Sequence, residues 1–490
     1  MLDEKITYEK EKYQDFKVSE LGVRLARMQR ICESLKIPVL IIVEGWESSG
    51  RGYVINDLVR ELNRKFVDVD VFNNQSDEER KYPFLRDFWI KIPRKGYLKI
   101  FDRSFYYDLM NDLEMGKSEL KTKIEFINSF EKALYDDKTV VIKYFLDVSQ
   151  KEQKSRMEAL ENSDLKSFYI DMYDKEQNKN YDTYKAQFSK IIEKTNTDYA
   201  KWHVINAEDE KYASKETLGI ALEEIEKGIE RVSTHRENGV RFQRDYKAKN
   251  KPLNDLDLTK KLSDKEYDAI LKDLEKEVAS TVVRFHKENI PTMLVFEGMD
   301  AAGKDGAIAR LIRYVDPRLY TVHAISAPDE SENARNYLWR FYNRMPQDGK
   351  MGIFSRSWYG RVMVERVEGF ASDNEWERAY GEMLDMEKQF YEHGGLILKY
   401  FVVIDKDIQL ERFQDRENDV DKQYKITEED WRNRDKWDKY LEAENEMIDR
   451  TNVQYAPWIL VEGNDKKYAR IKVIKEFLNR AEKFLKDKEK

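Results

Sequence analysis

The sequence predicts an α/β protein built as two tandem three-layer α/β/α sandwiches with mostly parallel sheets. Three observations predict it. Short strings recur in the same order in the two halves, apolar strand-length runs alternate with charged helical segments, and a glycine-bounded loop in the second half stands between an apolar run and a helical pattern. Alternating strand and helix periods call for a sheet covered on both faces, and recurrence at a fixed spacing calls for duplication. A length of 490 residues suits such an arrangement, since single cores stop growing beyond about 250–300 residues.

The repeat sets the element order. KIPVLIIVEGWESSGRG answers NIPTMLVFEGMDAAGKDG, FDRSFY answers FSRSWY, VIKYFLDVS answers ILKYFVVID, and KTNTDYAKWHVINAEDEKYA answers RTNVQYAPWILVEGNDKKYA. Gly45 and Gly298 are 253 positions apart, as are Arg103 and Arg356, while Trp202 and Trp458 are 256 apart. Strands are expected near 38–44, 67–72, 98–102, 138–146 and 202–206, and again near 291–297, 319–324, 351–354, 396–404 and 457–461. Periodicity fails over 233–259, where Asn, Lys, Pro and Asp gather around Pro252 and Asn254. A linker is expected there, between a repeat over 1–232 and another over 260–490. The apolar spacing over 15–35 and 264–288 reads as amphipathic helices packed on their own sheets, with coiled-coil pairing as the alternative.

Composition narrows the function classes. With 41% hydrophobic and 37% charged residues, and 9 Trp, 29 Tyr and 23 Phe, the chain is not generally disordered. A net charge of -8 excludes a globally basic nucleic-acid binder, so any polyanion must meet a local basic patch. The single cysteine, Cys32, excludes an internal disulfide and a cysteine-rich metal site, and the five histidines show no zinc-ligand spacing. The N-terminal MLDEKITYEKEKYQDFK carries charge where a signal peptide needs an apolar core of about seven residues. Apolar runs such as 38–43 and 292–296 fall far short of the ~20 residues that span a bilayer. A cytoplasmic protein is expected, with neither nucleic acid nor membrane as partner.

The loop EGMDAAGKDG over 297–306 carries the chemistry. Gly298, Gly303 and Lys304 form G-x-x-x-x-G-K, after a strand-like run and before the helical pattern of Ala307, Ile308, Leu311 and Ile312. Backbone N–H groups of Gly298, Ala301, Ala302, Gly303, Lys304, Asp305 and Gly306 can converge on phosphate oxygens there. The helix N-terminus adds positive potential and Lys304 a full charge. Two residues depart from the common pattern: Asp305 replaces the usual Ser or Thr, and Asp300 puts an acid inside the loop. A carboxylate facing phosphates needs a cation between them, so Asp300 is read as a Mg²⁺ ligand, the alternative being a cap for the following helix.

These residues, with RSWYGRVMVERVEGF, DVDKQYKITEEDWRNRDKWDKYLEAENEMIDRTN and YAPWILVEGNDKKYARI, make nearly the whole chain resemble the polyphosphate kinase 2 family, class II, the two-domain polyphosphate:AMP phosphotransferases. The resemblance implies P-loop kinase-like sandwiches, the second with a helical lid over about 412–440. It implies transfer of a phosphoryl group from inorganic polyphosphate to AMP, giving ADP, with Mg²⁺. Carried over residue by residue, it makes Asp300, Lys304 and Arg356 catalytic, and Arg412, Arg416, Lys422, Lys425 and Arg434 binders of phosphate. Ser355 stands where many members have Asp or Asn, and serine ligates a metal only weakly. Gln423 and Tyr424 stand where an Arg-Trp pair is common.

The first repeat reads GWESSGRG, with Glu47 for the loop aspartate and Arg51 for the lysine, and its lid region over 162–187 is poorer in cations. A non-catalytic domain is expected, serving as a pseudo-dimer partner for the second, despite Asp102 and Arg103. Rival functions are phosphorylation of ADP to ATP, an ATP-dependent nucleoside monophosphate kinase, and a non-catalytic polyphosphate or nucleotide sensor. A homo-oligomer is compatible with this layout.

Overall fold

A computed structural model of the chain describes residues 12–73, 75–162, 172–238, 246 and 249–488. Residues 163–171 of the expected first lid, and 239–245 and 247–248 of the expected linker, lie outside the described residues. The chain forms two compact units, residues up to 241 making most of one and residues from 242 most of the other. Each holds one five-stranded sheet in which every pair of neighbours is parallel.

In the first unit the strands are β1 (Val39–Gly45), β2 (Val67–Val71), β3 (Leu98–Asp102), β4 (Val140–Asp147) and β5 (Trp202–Asn206). Their spatial order is β2-β3-β1-β4-β5. The second unit has β6 (Thr292–Gly298), β7 (Tyr320–Ala324), β8 (Met351–Ser355), β9 (Leu396–Val403) and β10 (Trp458–Glu462), ordered β7-β8-β6-β9-β10. The two topologies are the same. VLIIVEG and TMLVFEG are almost wholly buried because a central parallel strand meets helices on both faces. The edge strands VDVDV and YTVHA bury no residue fully, and three of the five residues in each are exposed.

The helices close both faces. Val18–Leu35 packs on Glu210–Asn238, a helix that runs past residue 232, and Asp264–Lys287 packs on Lys466–Lys488. The latter pair buries Tyr267, Val278, Val282 and Phe285, so these amphipathic faces are covered within their own units. Ser263 and Glu266 form a capping box that starts Asp264–Lys287. Each core also buries one lysine. Lys399 Nζ donates to Glu387 Oε2 at 2.8 Å, to the Tyr359 hydroxyl at 2.8 Å and to Thr451 O at 2.9 Å. Lys143 repeats the arrangement with Glu131, Tyr106 and Thr195. No helix among the described residues is long and apolar enough to cross a membrane.

Candidate active site

The loop after β6 is held open by backbone shape. Gly298 has φ 137° and Gly303 φ 101°, and a Cβ on Gly298 would lie 2.3 Å from the Val402 carbonyl oxygen, so only glycine fits. Ala301 (φ 60°) and Arg356 (φ 64°) also lie in the left-handed region, as do their counterparts Ser48 (φ 56°) and Arg103 (φ 63°). Both repeats therefore bend the chain in the same way before and beside the loop. Gly303 caps the helix Lys304–Leu311 without side-chain help, so Asp300 is not its cap.

The side chains converge on the loop. Lys304 Nζ donates to Gly298 O at 2.7 Å and Met299 O at 3.2 Å. Desolvation pulls its ammonium below the ordinary lysine value, with Asp300 opposing and Arg356 assisting. Asp300 Oδ2 accepts from Asn433 Nδ2 at 2.9 Å, and Arg356 Nη2 stands 3.6 Å from Asp300 Oδ1. At the end of β8, the Ser355 hydroxyl donates to Asp305 Oδ1 at 2.9 Å, so the serine that stands where Asp or Asn is common meets the acid that replaces the usual loop Ser or Thr. Among the described residues no three Asp, Glu, His or Cys side chains gather as a ready-made metal cage. Mg²⁺ does not need one, since it takes one or two carboxylates and fills its shell with water and substrate phosphates.

Two cavities meet here. A cleft of about 870 Å³ is lined by residues 300–307, Ser355 and Arg356, and by the cations Arg412, Arg416, Lys422, Lys425, Lys466 and Arg470. The sequence reading missed the last two. Lys466 is pulled below the ordinary lysine value by desolvation and by Arg412 and Arg470 beside it. Such mutual repulsion is relieved by an anion. A smaller cavity of about 100 Å³ shares Asp300, Arg356, Glu429 and Asn433 with the cleft, and is otherwise lined by groups such as Met299, Gly360, Met363, Trp437, Tyr440 and Glu444. Glu444 is 5% exposed, and its Oε2 has no hydrogen-bond partner. Burial, aided by Asp300 and Glu297 and opposed by Lys304, pushes its carboxyl up to about 8.

Two of the expected phosphate binders act as braces. Arg412 Nη1 donates to Ala301 O and Ala302 O at 2.9 and 3.2 Å, and its Nη2 donates to Gly463 O and Asn464 O at 2.8 and 2.9 Å. Its guanidinium ties the loop to the segment after β10. Arg156, 256 positions earlier, does the same with Ser49 O, Ala207 O and Glu208 O. Arg434 Nη1 donates to Lys406 O at 2.5 Å and to Gln409 Oε1 at 3.2 Å, and lines neither cavity. Asn178 reproduces that brace on Gln150 O and Gln153 Oε1. A contact kept in both repeats, whatever the loop residue at Lys304 or Arg51, belongs to the fold.

The first repeat cancels its own charges. Glu47 is buried between Arg51 Nη2 at 2.9 Å and Arg103 Nη2 at 2.8 Å, and Arg51 Nε also meets Asp102 at 3.2 Å. Burial alone would raise the Glu47 carboxyl, but the two guanidinium groups hold it below the usual carboxylate range. The positions matching Lys466 and Arg470 are Glu210 and Ser214. Those matching Met299, Gly360 and Glu444 are Trp46, Tyr107 and Phe188, all buried, with Trp46 stacked on Tyr181 at 4.1 Å. Aromatic rings thus occupy the place of the small cavity. Comparing the repeats position by position for changes of charge and size, beyond the shared motifs, is the signal that finds Lys466, Arg470, Gly360 and Glu444.

A duplicated, all-parallel α/β fold defines the class: an α/β protein with a glycine-bounded strand-to-helix turn beside a cation-lined cleft at the carboxyl ends of its strands. The family described as polyphosphate kinase 2 (PPK2) matches residues 7–232 and 261–489, and the chain belongs to that family. It is 37% identical to the polyphosphate:AMP phosphotransferase of Pseudomonas syringae pv. tomato, covering 94% of this chain and 93% of that one. It is also 37% identical to the polyphosphate:AMP phosphotransferase of Pseudomonas aeruginosa, covering 96% and 95%. Among solved structures, one from Pseudomonas aeruginosa PA01 described as a polyphosphate kinase 2 superposes with a TM-score of 0.84, at 35% identity, over 96% of this chain and 95% of that one.

Proposed function

We propose that this chain is a polyphosphate:AMP phosphotransferase that moves the terminal phosphoryl group of inorganic polyphosphate to AMP, giving ADP, and that the second repeat does the chemistry. The observation that carries the reading is the junction of the two cavities at Asp300 and Arg356. A cation-rich cleft of about 870 Å³ suits a polyanionic donor with no base to recognise, and a small cavity with Trp437 and Tyr440 suits the nucleoside of an acceptor. The full-length relatives named for AMP support that acceptor over ADP.

In this reading the loop N–H groups of residues 301–306 and Lys304 hold the phosphoryl group in transfer. Arg356 neutralises charge gathering on its equatorial oxygens, and Arg416, Lys422, Lys425, Lys466 and Arg470 hold the rest of the donor chain. Such work is positioning and electrostatics rather than covalent chemistry. Arg412 and Arg434 act one step back, fixing the loop and the segment that bears Gln409. Asp300 is the hard-oxygen ligand for Mg²⁺, kept in place by Asn433, and Ser355 with Asp305 offers a weaker second contact; the metal supplies charge neutralisation between the phosphates. The helical segment over about 412–440, which carries Arg416, Lys422 and Lys425, serves as the lid and excludes water as a competing acceptor. The first repeat is non-catalytic, its loop cations being spent on Glu47 and Asp102. One buried cysteine, Cys32, fits work in a reducing cytoplasm.

The test is to incubate the protein with long-chain polyphosphate, Mg²⁺ and either AMP or ADP, and to separate the nucleotides. ADP formed from AMP, dependent on polyphosphate, is expected. Turnover with ATP but not polyphosphate identifies an ATP-dependent monophosphate kinase, faster turnover of ADP identifies the other acceptor, and binding without turnover identifies a sensor; each overturns the reading.

A further inference from the structure

We propose that Glu444 is a specificity-determining residue of the acceptor site, its carboxyl oxygen taking a hydrogen bond from an N–H or O–H donor on the nucleoside of the acceptor. The inference rests on reading the small cavity as the acceptor's place. A carboxyl group buried to 5% exposure, with an oxygen that meets no donor in the protein, is costly to the fold. It lines a cavity that sets the apolar or aromatic walls Met299, Met363, Trp437 and Tyr440 beside charged groups such as Glu297 and Asp300. Glu297 accepts from Ser357 and Asp300 from Asn433, whereas the Glu444 oxygen has no donor in the protein and is left to fix one orientation of a flat, partly polar ligand.

The first repeat is the internal control. Where the second repeat has Glu444, the first has Phe188, fully buried and packed edge-on against Trp46 with ring centroids 4.7 Å apart. The fold accepts an apolar side chain at this position and gains packing from it. The carboxyl group of the second repeat is thus no requirement of the architecture, and it occurs together with the opening of the cavity by Gly360 in place of Tyr107. An unpartnered acceptor inside a site rejects a ligand that lacks the matching donor more strongly than an apolar pocket rejects a change of shape.

Two groups on AMP can be that donor, the 6-amino group of adenine and a ribose hydroxyl, and the experiment separates them. Dissociation constants for AMP, IMP and 2′-deoxy-AMP are measured by titration calorimetry on the full chain, for the wild type, Glu444→Leu and Glu444→Gln, with melting temperatures recorded alongside. The wild type is expected to bind AMP at least about tenfold more tightly than one of the two analogues. Glu444→Leu should bind all three alike, with AMP weakened by the same factor and a melting temperature no lower than the wild type's. Glu444→Gln, which keeps an acceptor oxygen, should retain part of the preference. Equal AMP binding by wild type and Glu444→Leu overturns the inference and leaves the acceptor site standing. So does an equal loss for all three ligands, or a Gln variant that melts well below the wild type. A wild type that binds no AMP overturns the acceptor reading itself.

Discussion

Replacing Arg412 with alanine separates a brace from a phosphate contact. The guanidinium donates to four backbone carbonyls, two in the loop and two after β10, in a part of the chain where the side chain is only 7% exposed. A buried acceptor left dry costs roughly 1–3 kcal/mol. Water entering the vacated space restores part of that, so a net loss of about 3–5 kcal/mol in the second unit is expected, comparable to breaking a buried charged pair. For a unit of this size that is roughly 10 °C in melting temperature. Turnover should fall as well, because residues 301 and 302 lose their anchor. Arg156→Ala, which removes the matching brace from the first repeat, should cost similar stability and leave kcat unchanged. The assay is differential scanning calorimetry beside initial rates. If Arg412→Ala melted like the wild type while the KM for polyphosphate rose sharply, Arg412 would be a phosphate contact after all and the brace argument would fail.

Three more outcomes follow from the same geometry. Giving the second repeat the residues of the first, as Lys466→Glu with Arg470→Ser, should cut kcat/KM for polyphosphate by about 10–100-fold while AMP binding is kept; unchanged polyphosphate kinetics would remove both residues from the donor track. Glu387→Ala leaves the Lys399 ammonium buried without its anion and should destabilise the second unit by about 3–5 kcal/mol, measured by urea unfolding, whereas a loss under about 1 kcal/mol would mean that the lysine is held by Tyr359 and Thr451 alone. Stability should also depend on pH through Glu444. Its carboxyl keeps its proton up to about 8 when folded but releases it near the ordinary Glu value when unfolded, so the native state binds more protons over that window. Its contribution is fully present below about 4.5 and is lost as pH rises to about 8, a slope that Glu444→Leu should remove; an unaltered slope would place the effect on another group.

Most of the fold is legible in the sequence because the evidence for it is periodic and doubled. The central strands are mostly apolar runs, and each run has a partner about 253–256 positions away. The glycine-bounded loop is legible for the same local reason, since Gly298, Gly303 and Lys304 must be contiguous to work. The charged side chains around it are less so. Arg412 and Arg434 read as lid cations because a sequence shows charge but not direction, and the carbonyl oxygens they also hold are visible only in the fold. Lys466 and Arg470 escaped for the opposite reason: they sit far along the chain, at the start of the last helix, and β10 brings them to the cleft. Glu444 looks like any acid on a charged helix until burial is known.

The central claim is that one of the two loops works and the other is neutralised. Turnover of AMP with polyphosphate in Lys304→Ala and Arg51→Ala proteins tests it most directly, with melting temperatures to show that both remain folded. Lys304→Ala should lose at least about 100-fold in kcat, and Arg51→Ala should stay within about twofold of the wild type, because the Glu47 it leaves behind still has Arg103 at 2.8 Å. Loss of turnover in Arg51→Ala with Lys304→Ala unaffected would contradict the account.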